Sequence, residues 1–187
     1  MREKPNIIYI YADDLGRGML SCYGQTIIET PNIDRLAKEG MMFTNVYGCA
    51  ICAPARASML CGIHDAHAGR WTFTRAGIYK DIIRGKLSLE QVYELIHNTG
   101  IEKRAQNIYL PMVAKEAGYV TGQIGKLEWG FATTGDEIAS HGWDYHYGYY
   151  DHEMCHGYYP PFLFENGKMI WIEGNTDIDC GKGVGMD

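Results

Sequence analysis

The stretch Cys52-Ala53-Pro54-Ala55-Arg56-Ala57-Ser58-Met59-Leu60-Cys61-Gly62 predicts a loop that turns into a short helix. Pro54 suits the first helical turn, where its missing N–H group would have no partner, and Gly62 suits the position just past the end. Cys52 is therefore expected at a helix N-terminus, where free N–H groups and the helix dipole favour an anion. The guanidinium of Arg56 follows one turn along the helix. The stretch predicts a nucleophile that faces a tetrahedral oxyanion.

Other interpretations of the same stretch stay open. Cys52 is also consistent with a small buried core residue. Cys49 and Cys52 form a Cys-x-x-Cys pair, the spacing of a dithiol redox site or of half a zinc site. A structural zinc site needs two more ligands, and the sequence holds no second Cys-x-x-Cys. A redox dithiol explains the cysteine at the helix start but gives Arg56 no role.

Composition indicates a globular protein with an acidic balance. The 187 residues are 46% hydrophobic and 12% aromatic, enough for one substantial core. The 17 basic and 23 acidic residues leave a net charge of −6 without a basic run, which argues against nucleic acid as a partner. An anionic substrate would therefore need local positive charge. Six cysteines are too few for a disulfide framework in a chain of this size.

The N-terminal residues and the hydropathy pattern bear on localisation. No stretch approaches the roughly 20 apolar residues of a membrane span, and no signal peptide precedes the first predicted strand. We therefore expect a cytoplasmic protein as the chain is written, or a periplasmic or secreted one if an export segment has been removed.

Two adjacent carboxylates follow the first predicted strand. Residues 6–11 form a nearly continuous apolar and aromatic run, as in a strand buried on both faces of a mainly parallel sheet. Asp13 and Asp14 come at its carboxyl end, where open α/β sheets bind ligands. Their oxygens suit Ca²⁺ or Mg²⁺ better than zinc. Taken alone, such a pair is more often a solvated turn.

Several further elements carry local signals. Residues 30–40 predict a helix that Thr30 caps, and residues 42–47 predict a strand. Ser88-Leu89-Glu90-Gln91 is a capping box that opens another helix. A helix is expected from near Pro111 to Gly118, and Asn166-Gly167 predicts a hairpin turn.

A lysine follows the strand predicted over residues 119–124. Glycines at 125 and 130 bracket the turn that contains Lys126, which would let the backbone approach a ligand closely. Glu128 lies in the same turn. A lysine in such a place is usually only solvated, so the position alone decides little.

The stretch from His141 to Trp171 is crowded with aromatic rings and histidines. Flat rings with hydrogen-bonding tips suit a sugar, although such rings also build cores. His152, Cys155 and His156 together are a further, less favoured zinc-cluster hypothesis.

Taken in order, these segments resemble the sulfatase family. The family signature Cys-x-Pro-x-Arg and the closing glycine, the opening Pro-Asn-Ile-x-x-Ile-x-x-Asp-Asp, the Thr-Gly-x-x-Gly-Lys segment and the histidine before Tyr-Tyr-Pro all recur. The matching positions are Pro5, Asn6, Ile7, Ile10, Asp13, Asp14, Cys52, Pro54, Arg56, Gly62, Thr121, Gly122, Gly125, Lys126 and His156.

The resemblance implies a fold and a reaction. The fold would be the alkaline-phosphatase-like α/β fold, with a mainly parallel central sheet flanked by helices, and residues 1–187 would be the N-terminal part of a sulfatase catalytic domain. The reaction would be hydrolysis of a sulfated carbohydrate or aryl sulfate. A formylglycine-generating or sulfatase-maturing enzyme would oxidise Cys52 to formylglycine. One hydroxyl of the hydrated aldehyde would attack sulfur, and the other would then expel sulfate.

The resemblance also implies residue roles. Arg56 and Lys126 would neutralise charge on the sulfate, and His156 would lie near it. Asp13, Asp14 and residue 52 would hold Ca²⁺, with Mg²⁺ the less favoured ion.

Two departures from the family pattern matter. Glu128 stands where the family has a histidine that hydrogen-bonds the formylglycine. An ionised Glu128 would repel an anionic substrate, so we expect it to turn away, to pair with a cation or to have a raised pKa. The later Asp-Asn metal ligands of the family are also missing, and calcium prefers six to eight oxygens. We therefore expect an N-terminal portion of a longer enzyme that alone binds metal poorly and turns over little.

Two alternatives remain within the same superfamily. A phosphonate or phosphodiester hydrolase shares the signature and differs in substrate. A non-catalytic relative would leave Cys52 a plain thiol.

Overall fold

The computed structural model describes residues 4–66, 75–99, 108–126 and 130–176. It divides the chain into two compact units, residues 1–47 and residues 48–187. The prediction that residues 1–187 form part of one catalytic domain stays a prediction.

The first unit is built around helix α1 (Pro31–Glu39), which the sequence predicts. A short 3-10 turn, Ser21–Tyr23, precedes it. Thr30 does not cap a helix N–H group as expected. Its hydroxyl instead accepts a hydrogen bond from the Ser21 N–H (3.0 Å) and donates one to Asp34 Oδ1 (3.0 Å). The side chain thus ties the start of α1 to the turn before it.

Two predicted strands do not form in the first unit. Residues 6–11 and residues 42–47 make no strand pairing in the structure, and the side chains of Ile8 and Tyr47 are 85% and 87% exposed. The predictions followed from apolar and β-branched composition, which shows that a segment suits a strand but supplies no neighbour. A strand needs a neighbouring strand to pair with, and residues 4–47 contain no strand.

Four strands in the second unit form one sheet in the order β1-β2-β3-β4. The strands are β1 (Gly122–Gly125), β2 (Tyr145–Gly148), β3 (Phe162–Glu165) and β4 (Lys168–Trp171). β1 and β2 are parallel, and the β2-β3 and β3-β4 pairs are antiparallel. Parallel strands end at the same edge of a sheet, so the segments that follow β1 and β2 start side by side.

The predicted hairpin turn joins β3 to β4. Asn166 and Gly167 have φ angles of +46° and +85°. Positive φ at both central residues is what a two-residue type I′ hairpin requires, and asparagine and glycine adopt it most readily.

Five α-helices occur in the described part of the second unit. They are α2 (Cys52–Cys61), α3 (Lys80–Ile83), α4 (Leu89–Thr99), α5 (Leu110–Glu116) and α6 (Gly135–Ser140). The capping box at the start of α4 is confirmed: the Gln91 N–H donates to Ser88 Oγ (3.2 Å), and the Ser88 N–H donates to Gln91 Oε1 (2.8 Å).

The core of the second unit lies between α4, α6 and β3. The Tyr150 ring stacks on Phe164 at a centroid distance of 4.0 Å, and the buried Tyr79 hydroxyl donates to the Thr133 carbonyl (2.7 Å). A smaller cluster packs Ala57 and Leu60 of α2 against Tyr109. This packing anchors α2 by its apolar face. In the part of the chain that the structure describes, no helix combines the length and apolarity that a membrane span requires.

We expect Gly148→Ala to destabilise the second unit by about 3 kcal/mol. Gly148 has φ +155°, and a Cβ atom there would overlap the carbonyl oxygen of Gly125 and lie 2.8 Å from its carbonyl carbon. The measurement is the free energy of unfolding in urea. Gly122→Ala in β1 is the matched control, because a Cβ there meets no atom within 4 Å. Equal unfolding free energies for the two variants would contradict the prediction.

Candidate active site

Helix α2 begins at Cys52, as the sequence predicts. Pro54 lies in its first turn, and Gly62 ends it with φ +69° while its N–H donates to the Ser58 carbonyl (2.8 Å). Arg56 lies one turn after Cys52 and is only 8% exposed. Cys52 itself is partly accessible to solvent. A cysteine at this helix start is therefore reachable by a ligand and lies next to free helix N–H groups.

The sulfur atoms of Cys49 and Cys52 have different partners. Cys49 Sγ lies 3.0 Å from Ser58 Oγ, and Cys52 Sγ lies 3.6 Å from His152 Nδ1. The five cysteines in the part of the chain that the structure describes are not joined in disulfides. This geometry favours a separate role for Cys52 over a dithiol pair.

The parallel pair β1-β2 brings Lys126 close to His156. Lys126 directly follows β1, and its carbonyl accepts a hydrogen bond from Gln123 Nε2 (2.8 Å). The chain after β2 continues through Asp151 to a 3-10 turn at Met154–His156. Lys126 Nζ and His156 Nε2 are 3.5 Å apart. The amine and the imidazole, 30 residues apart in the chain, thus share one edge of the sheet.

A buried carboxylate fixes the segment that carries His152. Asp151 is 1% exposed and accepts hydrogen bonds from the N–H groups of Gly77 (2.8 Å), Tyr79 (3.2 Å) and Glu153 (2.8 Å). Burial raises the pKa of the Asp151 carboxyl, although the backbone hydrogen bonds oppose that rise. The carboxyl thereby joins the chain before α3 to the turn after β2.

An ion pair also holds this segment. Lys80, nearly fully buried, donates to Glu153 Oε1 at 2.8 Å. Gly77 approaches this pair so closely that a Cβ atom there would overlap a Glu153 carboxylate oxygen. The turn at 151–153 is therefore held by two carboxylates with different partners.

His152 lies within this fixed turn. The residue is 2% exposed, and its ring meets that of Phe131 edge to face at 5.6 Å. Its backbone N–H donates to the Phe131 carbonyl (2.9 Å). The sequence suggested His152 only as a zinc-cluster member beside Cys155 and gave no sign that it faces Cys52. The position of His152 after β2 was the one signal for a functional role, because open α/β sheets bind ligands beyond the carboxyl ends of their strands.

Asp13 and Asp14 belong to the first unit. Both are exposed in a turn, and Asp14 has φ +55°, a left-handed conformation that aspartate tolerates better than most residues. The oxygen atoms of these two adjacent carboxylates are suitable ligands for a hard cation. The two carboxylates supply at most four oxygens, so they form only part of a calcium site. Glu128 lies outside the described residues.

Nearly the whole chain is similar in sequence to known proteins. The family model described as Sulfatase matches residues 5–177. An N-acetylgalactosamine-6-O-sulfatase of Bacteroides thetaiotaomicron is 35% identical over 189 aligned residues, which cover 94% of this chain and 32% of that protein. Human Arylsulfatase D is 38% identical over 152 residues, which cover 78% of this chain and 23% of that protein.

The fold is also similar to that of a solved protein. A chain solved in work on the metabolism of multiple glycosaminoglycans by Bacteroides thetaiotaomicron superposes with a TM-score of 0.59 and 31% sequence identity. The match covers 89% of this chain and 32% of that one, and it confirms the predicted α/β, alkaline-phosphatase-like architecture. The chain spans about a third or less of the length of the curated relatives it matches. With the signature residues on α2 and the family match over residues 5–177, the chain belongs to the sulfatase family.

Proposed function

We propose that the protein hydrolyses sulfate esters with residue 52 as the nucleophile. The proposal is carried by the contact between Cys52, at the start of α2, and His152. In the same unit Lys126 lies next to His156, and the buried Arg56 follows Cys52 by one helical turn. The family match supports the same reaction.

Conversion of Cys52 to formylglycine would supply a hydrated aldehyde, an oxygen nucleophile that a thiol does not offer. The conversion replaces –CH₂–SH by –CHO, releases the sulfur as sulfide and takes its oxygen from outside the side chain. Two electrons and two protons must pass to an external oxidant. A formylglycine-generating or sulfatase-maturing enzyme is therefore the partner that we propose for this step.

Positive charge is the contribution of Arg56 and Lys126. Sulfate is an anion, and the protein's net charge of −6 opposes its binding. Cationic side chains at the site must therefore offset this electrostatic repulsion. The guanidinium is nearly buried, where electrostatic interactions are stronger than in water. His156 lies beside the Lys126 amine and would donate a hydrogen bond to the same anion.

His152 would orient residue 52. Its Nδ1 atom is the ring nitrogen that faces the side chain of residue 52, and the turn around Asp151 leaves the ring little freedom. The family places a histidine at the position of Glu128, which cannot donate a hydrogen bond when ionised. We propose that His152 supplies that hydrogen bond in this protein.

A hard cation, Ca²⁺ before Mg²⁺, is the ion that Asp13 and Asp14 would hold, because both offer carboxylate oxygens. The expectation that these residues alone bind it poorly stays a prediction, and a chelator-buffered calcium titration of the chain tests it. Tight binding by the 187 residues would contradict it.

The substrate class that we propose is a sulfated carbohydrate or aryl sulfate. Tyr158 and Tyr159, which follow His156 in the chain, are 89% and 73% exposed. Exposed aromatic rings next to an anion-binding edge suit the flat face of a sugar. One similar protein is described as an N-acetylgalactosamine-6-O-sulfatase.

Mass spectrometry of the peptide that contains Cys52 tests this function. We expect the mass of the aldehyde or its hydrate in protein produced with a maturing enzyme. We also expect faster hydrolysis of an aryl sulfate than of a matched aryl phosphodiester or phosphonate. An unmodified thiol under these conditions would support the non-catalytic alternative, and a preference for the phosphorus esters would support a phosphodiester or phosphonate hydrolase.

A further inference from the structure

Three potential metal ligands converge where Cys52 meets the turn after β2. One ligand atom from each of Cys52, His152 and His156 lies within 4.8 Å of the others. The ligands come from separate elements, one from the start of α2 and two from the segment after β2. This arrangement pairs a sulfur with two imidazoles, the donor set of borderline transition metals and not of calcium.

The separation of the Cys52 sulfur and the His152 nitrogen fits a tetrahedral ion. Zn–S and Zn–N bonds of about 2.3 Å and 2.0–2.1 Å at a tetrahedral angle separate the two ligand atoms by about 3.5 Å. Cys52 Sγ and His152 Nδ1 are 3.6 Å apart. His156 is the exposed member of the three, so its side chain has the most room to adjust around an ion.

We propose that the protein with an unconverted Cys52 binds one zinc-like divalent ion through Cys52, His152 and His156. Binding breaks the S–H bond of Cys52, releases its proton to solvent and forms a bond from sulfur to the metal, with no change of oxidation state. Three protein ligands leave the fourth tetrahedral position open to water or an anion.

The structure assigns the sulfur ligand to Cys52 and not to Cys155. Cys155 Sγ donates to the His152 carbonyl at 2.9 Å, so that sulfur is directed at the backbone of the turn. Cys52 Sγ instead faces the His152 ring. The zinc cluster that sequence alone suggests among His152, Cys155 and His156 is thus replaced by one that includes Cys52.

Nearby charges affect how strongly this site would bind a divalent ion. Lys126 Nζ is 3.5 Å from His156 Nε2 and opposes a dication, whereas the thiolate of Cys52 offsets one unit of its charge. An anion in the fourth position would balance the remainder. Conversion of Cys52 removes the sulfur, so this metal site and the formylglycine are mutually exclusive. The proposal therefore does not depend on the proposed function.

A second cluster provides an internal comparison. Cys49, His64 and Asp65 also place ligand atoms within 4.8 Å of one another. His64 Nδ1, however, accepts a hydrogen bond from the Ala66 N–H (3.2 Å) and lies 2.8 Å from an Asp65 oxygen. These residues are more open to solvent than His152, and we assign no ion to them.

The test is titration of the full chain, produced without a maturing enzyme, with Co²⁺ and then with competing Zn²⁺. Thiolate-to-cobalt absorption reports the sulfur ligand, and mass spectrometry confirms that Cys52 is unmodified. We expect one ion per chain and binding at least about 100-fold weaker in Cys52→Ala and in His152→Ala. Cys49→Ala is the matched control and should bind as the wild type does.

Alkylation of the wild-type chain gives a second measurement that needs no variant to fold. Bound Zn²⁺ should slow the reaction of Cys52 with iodoacetamide at least about tenfold, because a metal-bound sulfur is a poor nucleophile. Cys49 should react at the same rate with and without the metal. Equal protection of both cysteines, or metal binding that Cys49→Ala removes and Cys52→Ala does not, would overturn the proposal.

Discussion

Replacing Cys52 with alanine is expected to lower kcat/KM for an aryl sulfate by about 10⁴-fold or more, because the variant has no group that could become the nucleophile. Arg56, Lys126 and His156 would remain in place to bind the sulfate group. A sulfate or substrate-analogue affinity within a few-fold of the wild type should therefore accompany the loss of turnover. Initial rates and inhibition by sulfate measure the two effects.

Cys49→Ala is the control for this prediction. Cys49 precedes α2 and its sulfur lies 3.0 Å from Ser58 Oγ of that helix, whereas the sulfur of Cys52 faces His152. We expect activity close to that of the wild type and normal conversion of Cys52 by peptide mass. Persistent hydrolysis in Cys52→Ala, or equal losses in the two variants, would refute residue 52 as the nucleophile.

We expect the variants His152→Asn and His152→Gln to differ in kcat, although both introduce an amide side chain. The shorter amide in His152→Asn would lie near the position of imidazole Nδ1, which faces residue 52 at 3.6 Å. The longer amide in His152→Gln would reach the position of Nε2 instead. We expect kcat to fall by about 100-fold in His152→Gln and by about tenfold or less in His152→Asn, with KM nearly unchanged.

Peptide mass and thermal unfolding complete that experiment. The two variants should show the same conversion of Cys52 and the same melting temperature, so that the difference in kcat reports orientation of residue 52. Equal activity in the asparagine and glutamine variants would show that the Nδ1 contact has no role in turnover. A rise in KM at constant kcat would instead place His152 in substrate binding.

Local signals made part of the structure predictable. Pro54 and Gly62 determined the bounds of α2, because each suits one end of a helix for a reason that neighbouring residues do not alter. The Ser88-Gln91 capping box and the Asn166-Gly167 turn are local in the same sense. The prediction for Arg56 followed from its place on this helix, whereas the anion-binding role of Lys126 followed from the resemblance to the sulfatase family; both roles stay predictions.

Features that need distant residues were not predictable in this way. The runs at 6–11 and 42–47 suit strands, but composition cannot supply the neighbour that a strand needs. The contact between Cys52 and His152 joins residues 100 positions apart, and it depends on how the Asp151 hydrogen bonds place the turn. No periodicity in the sequence encodes that distance.

The glycine pair at the ends of β1 and β2 has a consequence for any redesign of the protein. Gly125 and Gly148 face each other with too little room for a side chain, so this pairing sets how far along the sheet Lys126 and His152 emerge. A slip of one residue between the strands would shift one relative to the other by about 3.3 Å, close to the whole distance between Lys126 Nζ and His156 Nε2. A change of strand register would therefore alter the distance between the Lys126 amine and the imidazoles by about 3.3 Å per residue. Steps of that size are too large to tune this distance.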